Sequence, residues 1–144
     1  MGVWIPGSLI GLRSTAPLTG SDIEKIRFCW EALGGDPGRL VIHSEAGSRT
    51  CYSDTDRKAH IGADIFPGKG VDPNTTMGWQ AAVAHELCHL ERHDAGRALK
   101  SGHLDEAITD LEAYRYTLLK KGMKEELAAD ALQRLYLLAK EEER

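Results

Sequence analysis

The sequence contains a short segment, His85-Glu86-Leu87-Cys88-His89, in which two histidines stand four positions apart. The surrounding residues 79–93 have the apolar spacing of an α-helix. On a helix, positions four apart lie on one side within about one turn, so both imidazoles can reach a single ion. Glu86 lies about 100° around the helix from His85, too far to share the coordination but well placed to contact a water on that ion. The segment therefore predicts a helix with a buried side and a metal-binding side.

The remaining patterns predict one α+β domain over residues 1–144. Hydrophobic residues make up 42% of the chain and charged residues 28%, which favours a globular core over disorder. The patterns predict a small mixed or antiparallel sheet, with strands at 39–43, 49–52 and 60–66. They predict four helices, at 22–33, from Thr75 or Thr76 to about 93, at 104–121 and at about 124–142. The first of these helices is expected to begin with a capping box formed by Ser21 and Glu24.

The C-terminal helix is expected to pack on the rest of the domain through apolar residues at helical spacing. The residues of that predicted apolar stripe are Leu127, Ala131, Leu132, Leu135, Leu138 and Ala139.

A zinc site that performs catalysis normally uses three protein ligands and leaves one position open for water. A candidate third ligand lies on the next predicted helix, where Glu106 and Asp110 stand one turn apart on one face. Glu106 can bind the ion while Asp110 accepts the free N–H of a ligating histidine. Glu106 is thus a candidate third ligand to a Zn²⁺ ion held by His85 and His89, and Asp110 is a candidate partner of one of the two rings.

The letters HELCH followed by DEAITD resemble the gluzincin pattern of thermolysin-type metallopeptidases, HExxH and then ExxxD on the following helix. The resemblance spans residues 85–110. It implies His85, His89 and Glu106 as zinc ligands, Glu86 as general base and Asp110 as the residue that orients a histidine. The chain is too short for the two-domain thermolysin architecture, so the expected fold is that of the compact bacterial zincins. The implied activity is zinc-dependent hydrolysis of peptide bonds in a peptide or protein substrate. The predicted strand 60–66 would be an edge strand with which an extended peptide pairs.

A second register comes from a resemblance to compact bacterial zincins of the ImmA/IrrE type, whose pattern often reads HExxHxxxH and later EAxxFAxxLL. His93 fits the first part of that pattern and residues 112–119 fit the second loosely. This register would make Glu112 the third ligand. Glu106 is preferred because Asp110 completes its motif, and Glu112 stays as an alternative.

A third register uses His103, fourteen residues after His89, as in SprT or Spartan-like proteases that act on DNA-bound protein. The charge balance disfavours it, because 18 basic residues stand against 22 acidic ones and no dense basic block is present. Nucleic acid is therefore not the expected partner. Another alternative is a zinc-bound regulatory or binding module that has lost turnover.

The cysteines are Cys29, Cys51 and Cys88, an odd number without CxxC spacing, which is typical of compartments where thiols stay reduced. The first six residues lack the features of a secretory signal, and no apolar run approaches the roughly 18 residues of a spanning helix. We therefore expect a cytoplasmic protein without a membrane segment.

Overall fold

The computed structural model describes residues 13–142, which form five α-helices and a three-stranded mixed sheet. The helices are α1 (Gly20–Ala32), α2 (Pro73–Thr76), α3 (Trp79–Asp94), α4 (Gly102–Glu112) and α5 (Lys121–Glu142). The strands are β1 (Leu40–Ile42), β2 (Cys51–Ser53) and β3 (Lys58–Ile61). Strand β3 lies in the middle, parallel to β1 and antiparallel to β2. The prediction of an α+β protein with a small mixed sheet is confirmed.

Within residues 13–142, none of the helices combines the length and the apolar character needed to cross a bilayer. Residues 1–6, on which part of the localisation prediction rests, lie outside the described residues.

The hydrophobic core lies between one face of the sheet and the helices α1 and α3. Side chains alternate along β3, so that Ala59 and Ile61 are fully buried while their neighbours are only partly covered. Helix α1 contributes Ile26 and Trp30, both fully buried. Helix α3 contacts α1, α4, α5, β2 and β3, and residues 81–90 along it are all buried. The HExxH motif is thus on the most enclosed helix of the described residues.

Replacing Trp30 with alanine is expected to lower the free energy of unfolding by about 3–5 kcal/mol, because it empties a fully enclosed site. The indole also donates from Nε1 to the carbonyl oxygen of Asp36 at 2.8 Å. Urea unfolding measures the change. Phe28 on the same helix is 77% exposed, so the Phe28→Ala variant should change stability by only about 0.5 kcal/mol or less. An equal decrease in the free energy of unfolding in both variants would contradict the assignment of Trp30 to the core and of Phe28 to the surface.

The predicted strand 60–66 is wrong in extent and position. The strand ends at Ile61, and Ala63–Ile65 forms a 3-10 turn. At Gly62 the chain passes so close to the preceding loop that a Cβ would lie 2.5 Å from the carbonyl carbon of Ser48. The backbone N–H of Gly62 donates to Thr50 Oγ1 at 3.0 Å and leaves the sheet. Strand β3 is also the central strand, so the expectation of an edge strand at residues 60–66 is wrong, and the edge strands of the described sheet are β1 and β2.

The predicted helix 104–121 is too long. Helix α4 ends at Glu112 and is followed by a 3-10 turn, Ala113–Arg115. The chain then turns so that Tyr116 and Leu119 enter the core, a tertiary contact that outweighs local helix propensity. Gly122 lies in the first turn of α5.

The predicted apolar stripe of α5 is only partly correct. The buried side chains of this helix are Leu127, Asp130, Ala131 and Arg134. Leu132 is 69% exposed because it lies on the opposite side of the helix. The buried face of α5 therefore carries an acid and a base that the sequence pattern did not assign to it.

The first helix has the predicted type of cap at different residues. Thr19 is the N-cap, its hydroxyl accepts from the backbone N–H of Asp22, and the Asp22 carboxylate accepts from the backbone N–H of Thr19. The expected pair, Ser21 and Glu24, lies inside the helix.

Candidate metal centre

Two histidines on α3 and one glutamate on α4 bring three potential ligand atoms together. The rings of His85 and His89 are fully buried and meet edge to face, with centroids 4.6 Å apart. Glu106 Oε2 lies 2.6 Å from His85 Nε2 and 3.0 Å from His89 Nε2. The helical spacing of four positions places both rings on one side of α3, and the packing of α4 on α3 brings the carboxylate to them.

The opposite nitrogen of each ring is held by a hydrogen bond. His85 Nδ1 lies 2.6 Å from Asp110 Oδ1 and donates to it when that carboxyl is ionised. His89 Nδ1 lies 3.3 Å from Thr109 Oγ1, and that hydroxyl already donates to the carbonyl oxygen of Asp105 at 2.7 Å. Thr109 therefore accepts from His89, and this network assigns the proton of each neutral ring to Nδ1.

This arrangement fits a cation. With the Nδ1 protons donated outward, neutral His85 and His89 direct the lone pairs of both Nε2 atoms at Glu106 Oε2. Three electron-rich atoms this close repel one another unless a positive charge lies among them, as ring protons or as a metal ion. Imidazole nitrogens and a carboxylate oxygen are ligands that zinc prefers in proteins. The donor set therefore suits Zn²⁺.

The fourth residue of the cluster, Glu86, is fully buried, and neither of its carboxylate oxygens has a hydrogen-bond partner among the described residues. Its ligand atom and those of His85 and His89 lie within 4.8 Å of one another. Burial raises the pKa of Glu86 to about 8. A cation nearby would favour the ionised carboxylate and lower that pKa. A buried acid without a partner, next to convergent ligand atoms, is suited to proton transfer with a bound molecule.

The buried charges at the centre stabilise one another. Burial alone would lower the pKa of His85, but Asp110 and Glu106 outweigh burial and hold it well above its usual value. Burial alone would raise the pKa of Glu106, but His89 and His85 outweigh it and hold the pKa well below the usual range. The protein thus favours an anionic carboxylate facing positive charge at this position.

The other two candidate ligands, Glu112 and His103, contact side chains outside the cluster. The Glu112 carboxylate forms ion pairs with Arg92 and Arg97, which lower its pKa although partial burial acts in the opposite direction. His103 Nε2 lies 3.2 Å from Glu141 Oε1 on α5.

His93, the histidine that fitted the HExxHxxxH pattern, is also turned to other partners. Its ring stacks on Tyr52 with centroids 4.3 Å apart, and its Nδ1 lies 3.3 Å from Asp54 Oδ1. The structure thus brings His85, Glu86, His89, Glu106 and Asp110 together and leaves Glu112, His103 and His93 outside the cluster.

The sequence reasoning did not identify the support of His89. Thr109 accepts from its ring, and Asp105 Oδ2 lies 3.6 Å from the same nitrogen. Arg92 in turn donates to Asp105 Oδ1 at 2.8 Å. A signal was available, because Asp105 and Thr109 stand one turn apart beside the pair Glu106 and Asp110 on the same helix.

Comparison of the chain with protein-family models, curated proteins and solved structures finds no match. The functional interpretation of the cluster therefore rests on its geometry and chemistry.

Proposed function

We propose that this protein is a zinc-dependent metallopeptidase with a zincin-like fold. The observation that carries the proposal is the convergence of His85, His89 and Glu106 on one point, with Asp110 behind His85. Beside them lies Glu86, whose carboxylate has no hydrogen-bond partner among residues 13–142. In this proposal the first three side chains hold the ion and Asp110 fixes the orientation of the His85 ring.

When bound, zinc supplies a Lewis acid that polarises a carbonyl and acidifies water. Glu86 accepts a proton from the water while the oxygen of that water bonds to the carbonyl carbon of the peptide. The same carboxyl then gives that proton to the amide nitrogen as the C–N bond breaks, so that an acid and an amine are released. No protein side chain becomes covalently attached to the substrate. Burial raises the pKa of Glu86, whereas a bound cation would lower it, so the ion would keep this carboxylate ionised and able to accept the proton.

Strand β2 is the proposed docking edge for an extended peptide. Within residues 13–142 it pairs only with β3, so the polar groups along its other side can accept a further strand. Tyr52 on β2 stacks on His93 of α3, two helical turns after His85, which places this edge beside the motif helix. This proposal transfers to β2 the role that the sequence assigned to residues 60–66.

The test of this function is metal content combined with peptide hydrolysis. We expect elemental analysis to find about one zinc per chain in the wild type. The Glu106→Ala variant should lose the ion, whereas Glu112→Ala should keep it because Glu112 pairs with Arg92 and Arg97. Hydrolysis of unfolded casein, followed through newly formed amino termini, should depend on the bound zinc.

Each other outcome of that test has a distinct meaning. A wild type that takes up no transition metal contradicts the proposal outright. Loss of zinc in Glu112→Ala but not in Glu106→Ala would move the third ligand to Glu112. Bound zinc without hydrolysis of any peptide would favour the regulatory or binding module. Tight, salt-sensitive DNA binding would instead favour the SprT-like alternative with His103.

A further inference from the structure

A buried arginine, Arg92, lies on the same side of α3 as the proposed histidine ligands, three positions after His89. Its Nη2 donates to Asp105 Oδ1 at 2.8 Å and to the carbonyl oxygen of Arg97 at 2.9 Å. Its Nη1 pairs with Glu112. One guanidinium on α3 therefore contacts the first turn of α4, the last residue of α4 and the connection between the two helices.

Asp105 is the residue through which Arg92 reaches the metal centre. Its Oδ1 accepts from Arg92 and also from the backbone N–H of Leu99 at 3.0 Å. Its Oδ2 lies 3.6 Å from His89 Nδ1. Its backbone carbonyl oxygen accepts from the hydroxyl of Thr109, and that hydroxyl accepts from the same ring nitrogen. Both contacts behind the His89 ring therefore involve Asp105, whose carboxylate is held by Arg92.

Apolar packing does little to fix α4 against α3. Six residues of α4 are buried, and Ala107 is the only apolar one. The polar ones are His103, Asp105, Glu106, Thr109 and Asp110. Residues 95–100, which follow α3, are all exposed. Hydrophobic burial is non-directional, whereas hydrogen bonds have preferred distances and angles. The position of α4 along α3, and with it that of Glu106, therefore depends on polar contacts such as those of Arg92.

The pair of Arg92 and Asp105 is costly to bury, because the two residues are only 2% and 6% exposed. Replacing a buried ion pair by apolar residues of similar volume is often neutral or stabilising. Packing alone therefore gives no reason for these two charges. A guanidinium presents several donors in one rigid plane, so it can hold a carboxylate and a carbonyl oxygen in a defined relation. The pair is thus suited to setting the geometry between the two helices.

We infer that Arg92 is a positioning residue for the metal centre, acting on the His89 ring through Asp105 and on Glu106 through the placement of α4. This inference rests on the part of the proposed function in which His89 and Glu106 bind zinc. Arg92 itself contributes no ligand atom. Groups that hold a metal ligand in place typically change metal affinity by about 10–100-fold when they are removed.

The main test replaces both members of the pair, Arg92→Met together with Asp105→Asn. The double variant leaves no unpaired charge at either position, and asparagine can still accept from the backbone N–H of Leu99. Zinc affinity is measured by competition with a chromogenic chelator, and the visible absorption spectrum of the cobalt(II)-loaded protein reports the geometry at the ion. We expect zinc affinity to fall by about 10–100-fold and the cobalt spectrum to change.

Two further variants separate positioning from general destabilisation, and circular dichroism checks that each variant is folded before metal is added. Glu112→Ala removes the ion pair at Nη1 of the same guanidinium but leaves both contacts of Nη2, so it should change neither measurement. Arg92→Lys keeps the positive charge and a donor for Asp105, so it should bind zinc more tightly than the double variant and partly recover the wild-type cobalt spectrum.

The outcomes distinguish this inference from the proposed function. A wild type that binds no metal overturns both. A wild type that binds zinc without hydrolysing peptides contradicts the proposed peptidase and leaves the inference standing. A folded double variant with the zinc affinity and cobalt spectrum of the wild type overturns the inference alone. If the double variant does not fold, Asp105→Asn decides, and wild-type affinity and spectrum in that variant also overturn the inference.

Discussion

Replacing Glu86 with glutamine is expected to leave zinc bound and to lower peptide hydrolysis by about 10²–10⁴-fold, the usual contribution of a general base. Glutamine has the shape of glutamate but cannot accept the proton of the attacking water. Glu86 contributes no ligand in the proposed site, and its two oxygens have no other partner among residues 13–142, so the exchange should disturb little else. The turnover number of the zinc-loaded protein and its metal content are the two measurements.

A matched control for this exchange is available on the same helix. In Glu91→Gln the substituted carboxylate contacts Arg115 and Tyr116 and not the ligand atoms, so turnover should stay close to that of the wild type. Unchanged hydrolysis in Glu86→Gln would show that this carboxylate is not the base. A loss of zinc in the same variant would instead make Glu86 a ligand.

Zinc is expected to raise the thermal unfolding midpoint of the wild type by about 10 °C when its free concentration is about a thousand times the dissociation constant. Binding to the folded state alone then contributes about 4 kcal/mol, and each kcal/mol shifts the midpoint of a chain of this size by about 2–4 °C. The effect should be large because the ligand atoms are buried and converge only in the folded chain. Calorimetry with zinc and with a chelator measures the difference.

The His85→Ala variant should show almost none of this rise, since it loses a ligand and leaves Asp110 without its ring partner. His93→Ala is the control, because His93 lies on the same helix but pairs with Asp54. It should keep the full rise with zinc. A zinc-induced shift of the same size in His85→Ala would mean that the stabilising ion binds elsewhere.

The central cluster could be predicted from sequence because its spacing is local. Four positions on one helix fix the relation of His85 to His89, and four on the next fix that of Glu106 to Asp110. The sequence does not indicate that α3 and α4 pack against each other, and the predicted cluster depends on that packing. The choice between Glu106 and Glu112 was harder, because it depends on how Arg92 and Arg97 engage Glu112 across helices. Contacts between elements leave no periodic signal in a single sequence.

The predictions for strand 60–66 and for the stripe of α5 are wrong for the same reason, because contacts between elements decide both. Gly62 ends β3 because a distant loop lies against its backbone, and nothing in the residues 60–66 indicates that contact. On α5, the buried Asp130 and Arg134 interrupt the apolar pattern, so the sequence predicts a stripe through Leu132 and neighbouring leucines instead. An acid and a base four positions apart on a helix can nevertheless indicate a buried ion pair, because charged residues are rarely buried without a partner.

The residues that would hold the ion and those that would hold the substrate come from separate stretches of chain. The proposed ligands and the side chains that hold their rings lie between residues 85 and 110, on two successive helices. The proposed docking edge, β2, is encoded more than thirty residues upstream, at Cys51–Ser53. In the proposed peptidase, a substitution on β2 would therefore change which peptides are accepted and leave the sequence of the helices that would hold the ion unchanged.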